Sequence, residues 1–276
     1  MLTISVVLYN TPSNYIIELI TSIKQITLPF RCYIFDNSDS PEAKFLIPTS
    51  PEFIYCFQNS NLGFSKTHNL LLNKDLSKSK YTLVLNPDVY FDSGMIEKII
   101  DFMERHDDVG LLLPRVLNPD GTEQPLFKLL PRPKDLIVRR FVPNLLKFLF
   151  KKELSDYSMS WANVHKIFEA PYLSGCFMFM RTSLFKQLEG FDSSFFLYCE
   201  DIDLSRRISS RSKTIYFSKA YIYHHFNKAS YTKVKYLYLH LTSAIKYFNK
   251  YGWLYDKQRD TLNQRCKENY SQAFYD

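Results

Sequence analysis

The sequence predicts an α/β fold, in which a mostly parallel central sheet carries helices on both faces and a helical extension follows at the C-terminus. In the first ninety residues, short apolar runs alternate with segments whose apolar residues recur at helical spacing. This alternation is typical of parallel sheets, because a helix returns the chain to the same edge before each new strand. The 276 residues are 46% hydrophobic, which is enough for a large core and excludes a disordered chain.

Four strands and three helices are predicted in the first part of the chain. Each strand is an apolar run that a turn-forming cluster stops. The predicted strands are residues 3–9, 31–35, 53–58 and 81–85. The predicted helices are a segment that begins at Ser13, residues 67–76 and residues 95–105.

The second part of the chain contains less regular patterns. An Asn-Pro-Asp-Gly sequence at residues 118–121 predicts a hairpin turn. The predicted elements that follow are a core strand at 170–181, a helix at 182–188, a strand at 214–223 and a basic helix at 233–250. We therefore expect one domain over residues 1–230, with halves 1–110 and 111–230, and a helical extension over 231–276.

The chain is basic, with a net charge of +7 from 35 Lys and Arg against 28 Asp and Glu. This balance favours an anionic partner: nucleic acid, anionic lipid or a phosphorylated substrate. We expect no nucleic acid, because the basic residues are spread out and no RNA-binding motif occurs. Residues 128–152 combine eight Lys and Arg with many apolar side chains. That segment predicts either a membrane-surface contact or packing against its own domain.

Several common sequence motifs for phosphate and metal binding are absent. No GxGxxG or GxxxxGK[ST] motif occurs, so a bound diphosphate would need a divalent metal or a basic side chain. The five cysteines form no CxxC pair, which makes a zinc site or a disulfide framework unexpected. No run approaches the roughly 20 apolar residues of a spanning helix, and a soluble or peripheral protein is expected.

Polar clusters that contain Asp36, Asn61 and Asp88 follow three successive strands of the predicted sheet. Open parallel sheets bind ligands beyond the carboxyl ends of their strands, so these clusters are expected to converge on one crevice. Asn and Asp also form ordinary turns, and any one cluster alone permits that simpler interpretation.

The densest acidic cluster is Glu200-Asp201-Ile202-Asp203. One interpretation is a helix start, with the acids in the first turn and Asp203 paired to Arg207 one turn later. The other is a general base that removes a proton from a substrate hydroxyl. Further candidates are Asn86 and Asp88, whose oxygens suit a hard divalent cation, and the adjacent His224 and His225, whose imidazoles would favour manganese over magnesium.

These landmarks, in this order, resemble the inverting family 2 glycosyltransferases of GT-A fold. The series is VVLYN at 6–10, DNS at 36–38, NLGF at 61–64, NPD at 86–88, SGCFMFMR at 174–181, GFD at 190–192, FFLYCEDIDLSRR at 195–207 and HHFNKAS at 224–230. More narrowly, it is similar to bacterial rhamnosyltransferases that build O-antigen or capsule polysaccharide. The resemblance extends from residue 1 to about residue 230 and implies a GT-A, Rossmann-like fold.

The resemblance implies that eight residues bind the nucleotide-sugar: Tyr9, Asn10, Asp36, Asn61, Gly63, Phe64, Asn86 and Asp88. Within this set, Asp36 would hydrogen-bond a pyrimidine base and Asp88 would bind the diphosphate through Mn²⁺ or Mg²⁺. His225 best matches a further metal ligand of the family, with His224 as the alternative. Asp201 would be the catalytic base, beside Glu200.

The resemblance also implies a reaction, the transfer of L-rhamnose from dTDP-L-rhamnose to a glycan on a polyprenyl diphosphate lipid. UDP-linked glucose, N-acetylglucosamine or galactofuranose stay open as donors. The enzyme would be cytoplasmic and peripheral at the inner face of the cell membrane, where the anionic surface attracts a basic chain. A homo-oligomer stays open.

Two residues depart from the family pattern. Thr67 stands where the family often has glycine, and Asn86 stands where the metal motif often begins with Asp, which leaves the need for metal open. A nucleotidyltransferase is disfavoured because residues 9–12 after the first strand contain neither Gly nor Lys. A non-catalytic, membrane-associated binding protein remains compatible with the charge.

Overall fold

The computed structural model describes residues 1–225 and 234–272. The strands in these residues are β1 (Leu2–Leu8), β2 (Phe30–Asp36), β3 (Phe53–Phe57), β4 (Tyr81–Leu85), β5 (Val89–Tyr90), β6 (Val109–Leu117), β7 (Phe127–Lys128), β8 (Phe168–Glu169), β9 (Tyr172–Leu173), β10 (Phe177–Arg181) and β11 (Lys213–His224). The α-helices are α1 (Ser13–Lys24), α2 (Phe64–Asn69), α3 (Met95–Arg105), α4 (Pro133–Phe141), α5 (Lys151–Tyr157), α6 (Thr182–Gln187), α7 (Glu200–Ser209), α8 (Val234–Tyr251) and α9 (Lys257–Gln272). Short 3₁₀ helices occur at Glu42–Leu46, Leu70–Asn73 and Asn144–Phe150.

The main sheet has the strand order β3-β2-β1-β4-β10-β6-β11-β5, and β8 pairs with β11. The first four strands pair in parallel, as the alternation of strand and helix predicts. β10 runs antiparallel to both β4 and β6, so the second half of the sheet is mixed. The α/β fold class with a Rossmann-like first half is confirmed.

Most predicted elements agree with the structure to within two residues, and β4 and α3 agree at both ends. Residues 67–76 differ, because α2 begins earlier and passes into the 3₁₀ helix Leu70–Asn73. Residues 170–181 form two strands, β9 and β10, instead of one. The predicted helical extension is confirmed by α8 and α9 in the described residues 234–272. Separate bounds were predicted only for the first of these helices, because in α9 only Leu262 and Cys266 supply buried apolar side chains at helical spacing.

Two buried apolar clusters hold these elements together. The large one joins the sheet to α1, α3, α6 and α7. The smaller one includes Phe195 and Ile202 from the second half of the chain and Tyr247 and Phe248 from α8. The C-terminal helices therefore pack directly against the segment that contains the acidic cluster, while the domain boundary near residue 230 stays a prediction.

Within residues 1–225 and 234–272, no helix is long and apolar enough to cross a bilayer. The turn predicted at 118–121 is present, since the Asn118 N–H donates to the Thr122 carbonyl at 2.7 Å. The end of the HHFNKAS motif, including Ser230, lies outside the described residues.

Candidate active site

A cavity of about 290 Å³ lies beyond the carboxyl ends of β1–β4, and we call it the first cavity. Parallel strands bring their carboxyl ends to one edge, which explains why loops distant in sequence meet there. Seven of the eight residues expected around a nucleotide-sugar line it: Tyr9, Asn10, Asn61, Gly63, Phe64, Asn86 and Asp88. The crevice predicted from the polar clusters is therefore present.

Asp36 is the residue that does not line the first cavity, and its expected contact with a base stays a prediction. The side chain is fully buried. One carboxylate oxygen accepts the Tyr55 hydroxyl at 2.6 Å, and the other accepts the Ser38 N–H at 2.9 Å. Both oxygens thus stabilise the turn after β2, and the residue that reaches the cavity from this turn is Asn37.

A glycine allows the NLGF loop, residues 61–64, to pack closely against the FFLY segment, residues 195–198. Gly63 has φ +78°, and a Cβ there would lie 2.5 Å from the Phe196 carbonyl oxygen. The Phe64 N–H donates to the same carbonyl at 2.8 Å. Thr67, the departure from the family pattern, is buried, and its hydroxyl accepts the Asn37 amide at 2.7 Å. Thr67 therefore holds Asn37 in place beneath the cavity.

A second cavity of about 320 Å³ adjoins the first, and Phe64, Asn86, Asp88 and Leu197 line both. Its other walls come from β7, β9, α4, α7, α8 and the end of β11. They include Lys128, Arg139, Arg140, Tyr172, Gly175, Glu200, Asp201, His224 and His240. Asp88 thus stands where the two cavities meet, and Asp201 lines only the second.

Asp201 is held in the wall of the second cavity by three hydrogen bonds. Its Oδ2 accepts the Gly175 N–H at 3.0 Å and the Tyr172 hydroxyl at 3.1 Å, while its Oδ1 accepts the Ile202 N–H at 2.9 Å. A Cβ on Gly175 would lie 3.1 Å from that of Asp201, so glycine permits this close approach. Burial raises the pKa of Asp201 above its ordinary value, although these hydrogen bonds and Lys128 oppose the rise.

A strained turn presents Asp201 at the start of α7. Tyr198 and Cys199 are consecutive non-glycine residues with φ of +71° and +65°. Such conformations cost about 1–3 kcal/mol each and persist where the surroundings enforce them. Ser243 of α8 contributes to that enforcement, because its hydroxyl donates to the Leu197 carbonyl at 2.8 Å.

Glu200 and Asp203 flank Asp201 and have different environments. Glu200 is buried in the second cavity, its Oε2 has no hydrogen-bond partner among the described residues, and burial together with Asp201 raises its pKa. Asp203 is fully buried and pairs with Arg207 at 2.7 Å, as the (i, i+4) interpretation predicted. The cluster therefore contains both a structural acid, Asp203, and an acid that faces the cavity, Asp201.

Lys128 places an ammonium group in the second cavity. Its Nζ lies 5.3 Å from the centre of the Tyr172 ring, within the range of a cation–π contact. Burial, and then the charge of Arg139, lower the pKa of Lys128 to about 7. The wall of the second cavity thus carries both carboxylates and basic side chains, with Lys128 and Asp201 both in contact with Tyr172.

The structure distinguishes the two adjacent histidines. His224 Nε2 lies 3.5 Å from Asp88 Oδ1, and its Nδ1 lies 3.0 Å from Gln124 Oε1. His225 Nε2 instead lies 2.6 Å from Glu18 Oε2, and its ring stacks on Tyr15. The imidazole beside Asp88 is therefore that of His224, although the resemblance gave His225 as the better match; which of the two binds a metal stays a prediction.

The donor set around Asp88 fits a divalent cation held jointly with a diphosphate. Asp88 Oδ1 is buried and has no hydrogen-bond partner among the described residues, as an oxygen reserved for a ligand would be. No group of three His, Cys, Asp or Glu side chains within 1–225 and 234–272 forms a complete metal site. A cation here would take remaining ligands from the substrate, as Mg²⁺ commonly does.

The sequence analysis assigned no role to five residues that line one cavity or the other. Asn37 and Phe196 line the first cavity, and Lys128, Tyr172 and Gly175 line the second. Gly175 and Phe196 lie inside the SGC and FFLY motifs, so the sequence marked their positions but did not indicate what they do. Nothing local marks Lys128 or Tyr172, which reach the site through the β7–β9 pairing.

The chain belongs to glycosyl transferase family 2, whose family model matches residues 3–188. The resemblance to family 2 glycosyltransferases stated from the motifs is thereby confirmed.

Two named relatives are rhamnosyltransferases. The chain is 24% identical to rhamnosyltransferase WbbL of Escherichia coli K12 over 264 residues, which cover 91% of this chain and 94% of that protein. It is 29% identical to an N-acetylglucosaminyl-diphospho-decaprenol L-rhamnosyltransferase of Mycobacterium tuberculosis over 153 residues, 52% of this chain. That match spans 47% of the mycobacterial protein, about half of its length.

Solved structures show the same fold at low identity. The S. aureus TarS 1-349 complex with UDP-GlcNAc superposes with a TM-score of 0.58 and 16% identity, covering 98% of this chain and 72% of that one. GalNAc-T7 with UDP, GalNAc and Mn²⁺ gives a TM-score of 0.63 at 10% identity, covering 100% of this chain and 52% of that one. The GT-A fold is thereby confirmed.

Proposed function

We propose that this chain is an inverting rhamnosyltransferase, which moves L-rhamnose from dTDP-L-rhamnose to a glycan carried on a polyprenyl diphosphate lipid. The observation that carries the proposal is the pair of cavities that meet at Asp88, with Asp201 on the wall of the second. The names of the two relatives support rhamnose as the sugar and, for the mycobacterial one, a lipid-diphosphate acceptor.

The donor would occupy the first cavity, with its base and ribose between the turns after β1, β2 and β3. Its diphosphate would lie at Asp88, where Asn86 offers a further polar side chain. The sugar would then project past Asp88 into the second cavity. This placement accounts for both the apolar walls around the nucleotide and the charged walls beyond it.

Asp201 would act as the general base. Its carboxylate is oriented by Tyr172 and Gly175, which both donate to Oδ2. Oδ1 accepts one hydrogen bond and retains a lone pair for the proton of an acceptor hydroxyl. The raised pKa makes Asp201 a stronger base than an ordinary aspartate.

The separate positions of the base and of the diphosphate site are compatible with an inverting reaction, in which the two act on opposite faces of the sugar. Asp88 stands between the cavities, whereas Asp201 lines only the second. The acceptor oxygen would form its bond to the anomeric carbon as the bond to the nucleoside diphosphate breaks, and its proton would pass to Asp201. A divalent cation held by Asp88 and His224 would stabilise the negative charge on the departing diphosphate.

The acceptor would enter through the second cavity. Arg139 and Arg140 would supply cations for a lipid diphosphate, and Lys128 would add a third when it is protonated. Such an acceptor would place the enzyme at the inner face of the cell membrane, in bacterial surface polysaccharide synthesis. A UDP-sugar is the second candidate donor, since family 2 glycosyltransferases include enzymes that use UDP-linked sugars and enzymes that use dTDP-linked sugars.

The test is donor binding and slow donor hydrolysis by the purified chain. The donors would be dTDP-rhamnose, UDP-glucose, UDP-N-acetylglucosamine, UDP-galactofuranose and GDP-mannose, each with Mn²⁺, Mg²⁺ or EDTA. Selective turnover of dTDP-rhamnose, weakened in Asp88→Ala and unchanged in the exposed control Asp101→Asn, is expected. Selective use of a UDP-sugar would replace the donor, and binding of none would overturn the proposed function.

A further inference from the structure

A third cavity, of about 540 Å³, adjoins the second and is larger than either of the other two. Leu126, Lys128 and Arg139 line both the second and the third cavity, so these side chains form the boundary between them. Asp201 lines the second cavity and not the third. The third cavity therefore lies across this boundary from the candidate general base.

The wall of the third cavity beyond the boundary is mostly apolar. Its apolar and aromatic side chains are those of Pro125, Phe127, Leu154, Tyr157, Met159, Ala162 and Val164. Ser158 and Ser160 also line it, but Ser158 Oγ donates to the Leu154 carbonyl at 2.7 Å and lies 2.7 Å from Ser160 Oγ. No acid or amide side chain occurs among the described residues that line it. A sugar ring, which needs several hydrogen-bond partners, is therefore a poorer occupant than a hydrocarbon chain.

A strained and well-packed turn after α5 forms part of this wall. Met159 adopts φ +50°, in the left-handed region that non-glycine residues rarely occupy. Its side chain is buried in the large apolar cluster, and its N–H donates to the Asp156 carbonyl at 3.0 Å. The Ser160 N–H donates to the Ser155 carbonyl, also at 3.0 Å. Packing and hydrogen bonds thus fix the wall of the third cavity, as a strained conformation requires.

The second and third cavities present chemical groups in a definite order. Asp201 accepts the Tyr172 hydroxyl at 3.1 Å, and Lys128 Nζ lies 5.3 Å from the centre of the same ring. The basic boundary therefore lies one aromatic ring away from the carboxylate, and the apolar wall follows. A lipid-linked sugar has the matching order: a hydroxyl for the carboxylate, a diphosphate for the basic side chains and a hydrocarbon chain for the apolar wall.

We propose that the third cavity binds the isoprene units next to the diphosphate of the lipid acceptor, while Lys128 and Arg139 bind the diphosphate at the boundary. That the chain is a polyprenyl rests on the proposed function, whereas the binding of a hydrocarbon chain beside a diphosphate rests on the cavity itself. Held in this way, the acceptor would project its sugar toward Asp201. The third cavity would also let the enzyme distinguish a lipid-linked sugar from a free one.

The experiment measures binding of farnesyl diphosphate and of inorganic diphosphate to the purified full chain by calorimetry. EDTA is present, so that no divalent cation holds either probe at Asp88. We expect farnesyl diphosphate to bind at least ten-fold more tightly, because its chain is buried in the third cavity. Ala162→Phe, which fills that cavity, should weaken farnesyl diphosphate at least ten-fold and leave inorganic diphosphate unchanged.

The matched control is Ala43→Phe. Ala43 and Ala162 are both half-buried alanines packed on the large apolar cluster, but Ala43 lines none of the three cavities. The control should bind both probes like the wild type. Lys128→Met should weaken both probes, because it removes a cation from the boundary and leaves the apolar wall; unchanged binding of both would overturn the placement of the diphosphate.

Leu154→Gln keeps the test decisive if Ala162→Phe does not fold, because it makes the wall polar with little change in size and should also weaken farnesyl diphosphate. Equal affinities for the two probes, or unchanged farnesyl diphosphate binding in both variants, would overturn the proposal. Donor hydrolysis without an acceptor separates this proposal from the proposed function, since it can fail while farnesyl diphosphate binds, or persist while farnesyl diphosphate does not.

Discussion

The guanidinium of Arg206 binds the carboxylate of Asp256 through two hydrogen bonds of 2.6 Å, and both side chains are buried. Arg206 lies on α7, the helix that begins with Glu200 and Asp201, whereas Asp256 immediately precedes α9. The Arg206 guanidinium also lies 3.8 Å from the centre of the Tyr251 ring at the end of α8. This one side chain therefore joins the acidic cluster to both C-terminal helices.

Arg206→Ala is expected to destabilise the fold by about 3–5 kcal/mol, because it leaves the carboxylate of Asp256 buried without its partner. Urea denaturation of both proteins measures the difference. The control is Arg105→Ala, which breaks an exposed pair with Asp101 and should cost about 1 kcal/mol or less. Equal losses in the two variants would show that the buried pair has no special role.

Asp201→Asn is expected to retain donor affinity and to lower turnover by about 10²–10⁴-fold, because the amide cannot accept the acceptor proton. Calorimetry and a product assay measure the two quantities. A variant that turns over at the wild-type rate would exclude Asp201 as the base.

The acidic limb of the pH–rate profile should report on the same carboxylate. Activity requires ionised Asp201, so it should fall as pH drops through the raised pKa of that group. Tyr172→Phe removes a hydrogen bond that lowers this pKa and should move the limb to higher pH. Tyr251→Phe, which removes the matching bond to Asp203, should leave the limb in place.

His224→Ala should weaken Mn²⁺-dependent donor binding about ten-fold or more, since His224 is the imidazole beside Asp88. His225→Ala should leave the response to Mn²⁺ unchanged, because that ring pairs with Glu18 and stacks on Tyr15. Donor titrations at several Mn²⁺ concentrations measure both variants. The reverse outcome would restore His225 as the metal ligand.

Glu200→Gln should stabilise the protein increasingly as pH rises. The folded-state pKa of Glu200 lies above its ordinary value of 4.5, so its favourable contribution is complete below pH 4.5 and is lost as pH rises through the raised pKa. Glutamine has no charge to bury. Melting temperatures from pH 5 to pH 8 should therefore diverge, and parallel curves would contradict the buried, ionising Glu200.

Gly63→Ala should weaken donor binding at least ten-fold, because its Cβ would push against the Phe196 carbonyl and open the first cavity. Gly121→Ala separates this effect from backbone strain, since Gly121 has φ +84° but nothing within 4 Å of its Cβ position. That control should lose about 1–2 kcal/mol of stability and retain donor affinity. Donor titration of both variants would decide, and equal affinities would contradict the close approach.

Much of the fold and part of the site follow from local patterns. The apolar runs and their polar ends predicted β1–β4, α1 and α3, and the convergence of Asn61 and Asp88, because parallel strands share one edge. The helix α9 lies inside the predicted helical extension, but its bounds were not predicted because its few buried apolar residues leave little periodicity. Lys128 and Tyr172 were missed because only a strand pairing brings them to Asp201.

The sequence by itself determined the fold class, the family and the set of polar residues from which a site could be built. Only the tertiary structure decided how those residues divide: Asp36 is buried within its own turn, Asp203 supports α7, Asp201 faces the cavity, and His224 rather than His225 reaches Asp88. The physical reason is that motif spacing specifies which residues share a loop, whereas packing and pairing decide which way each side chain points.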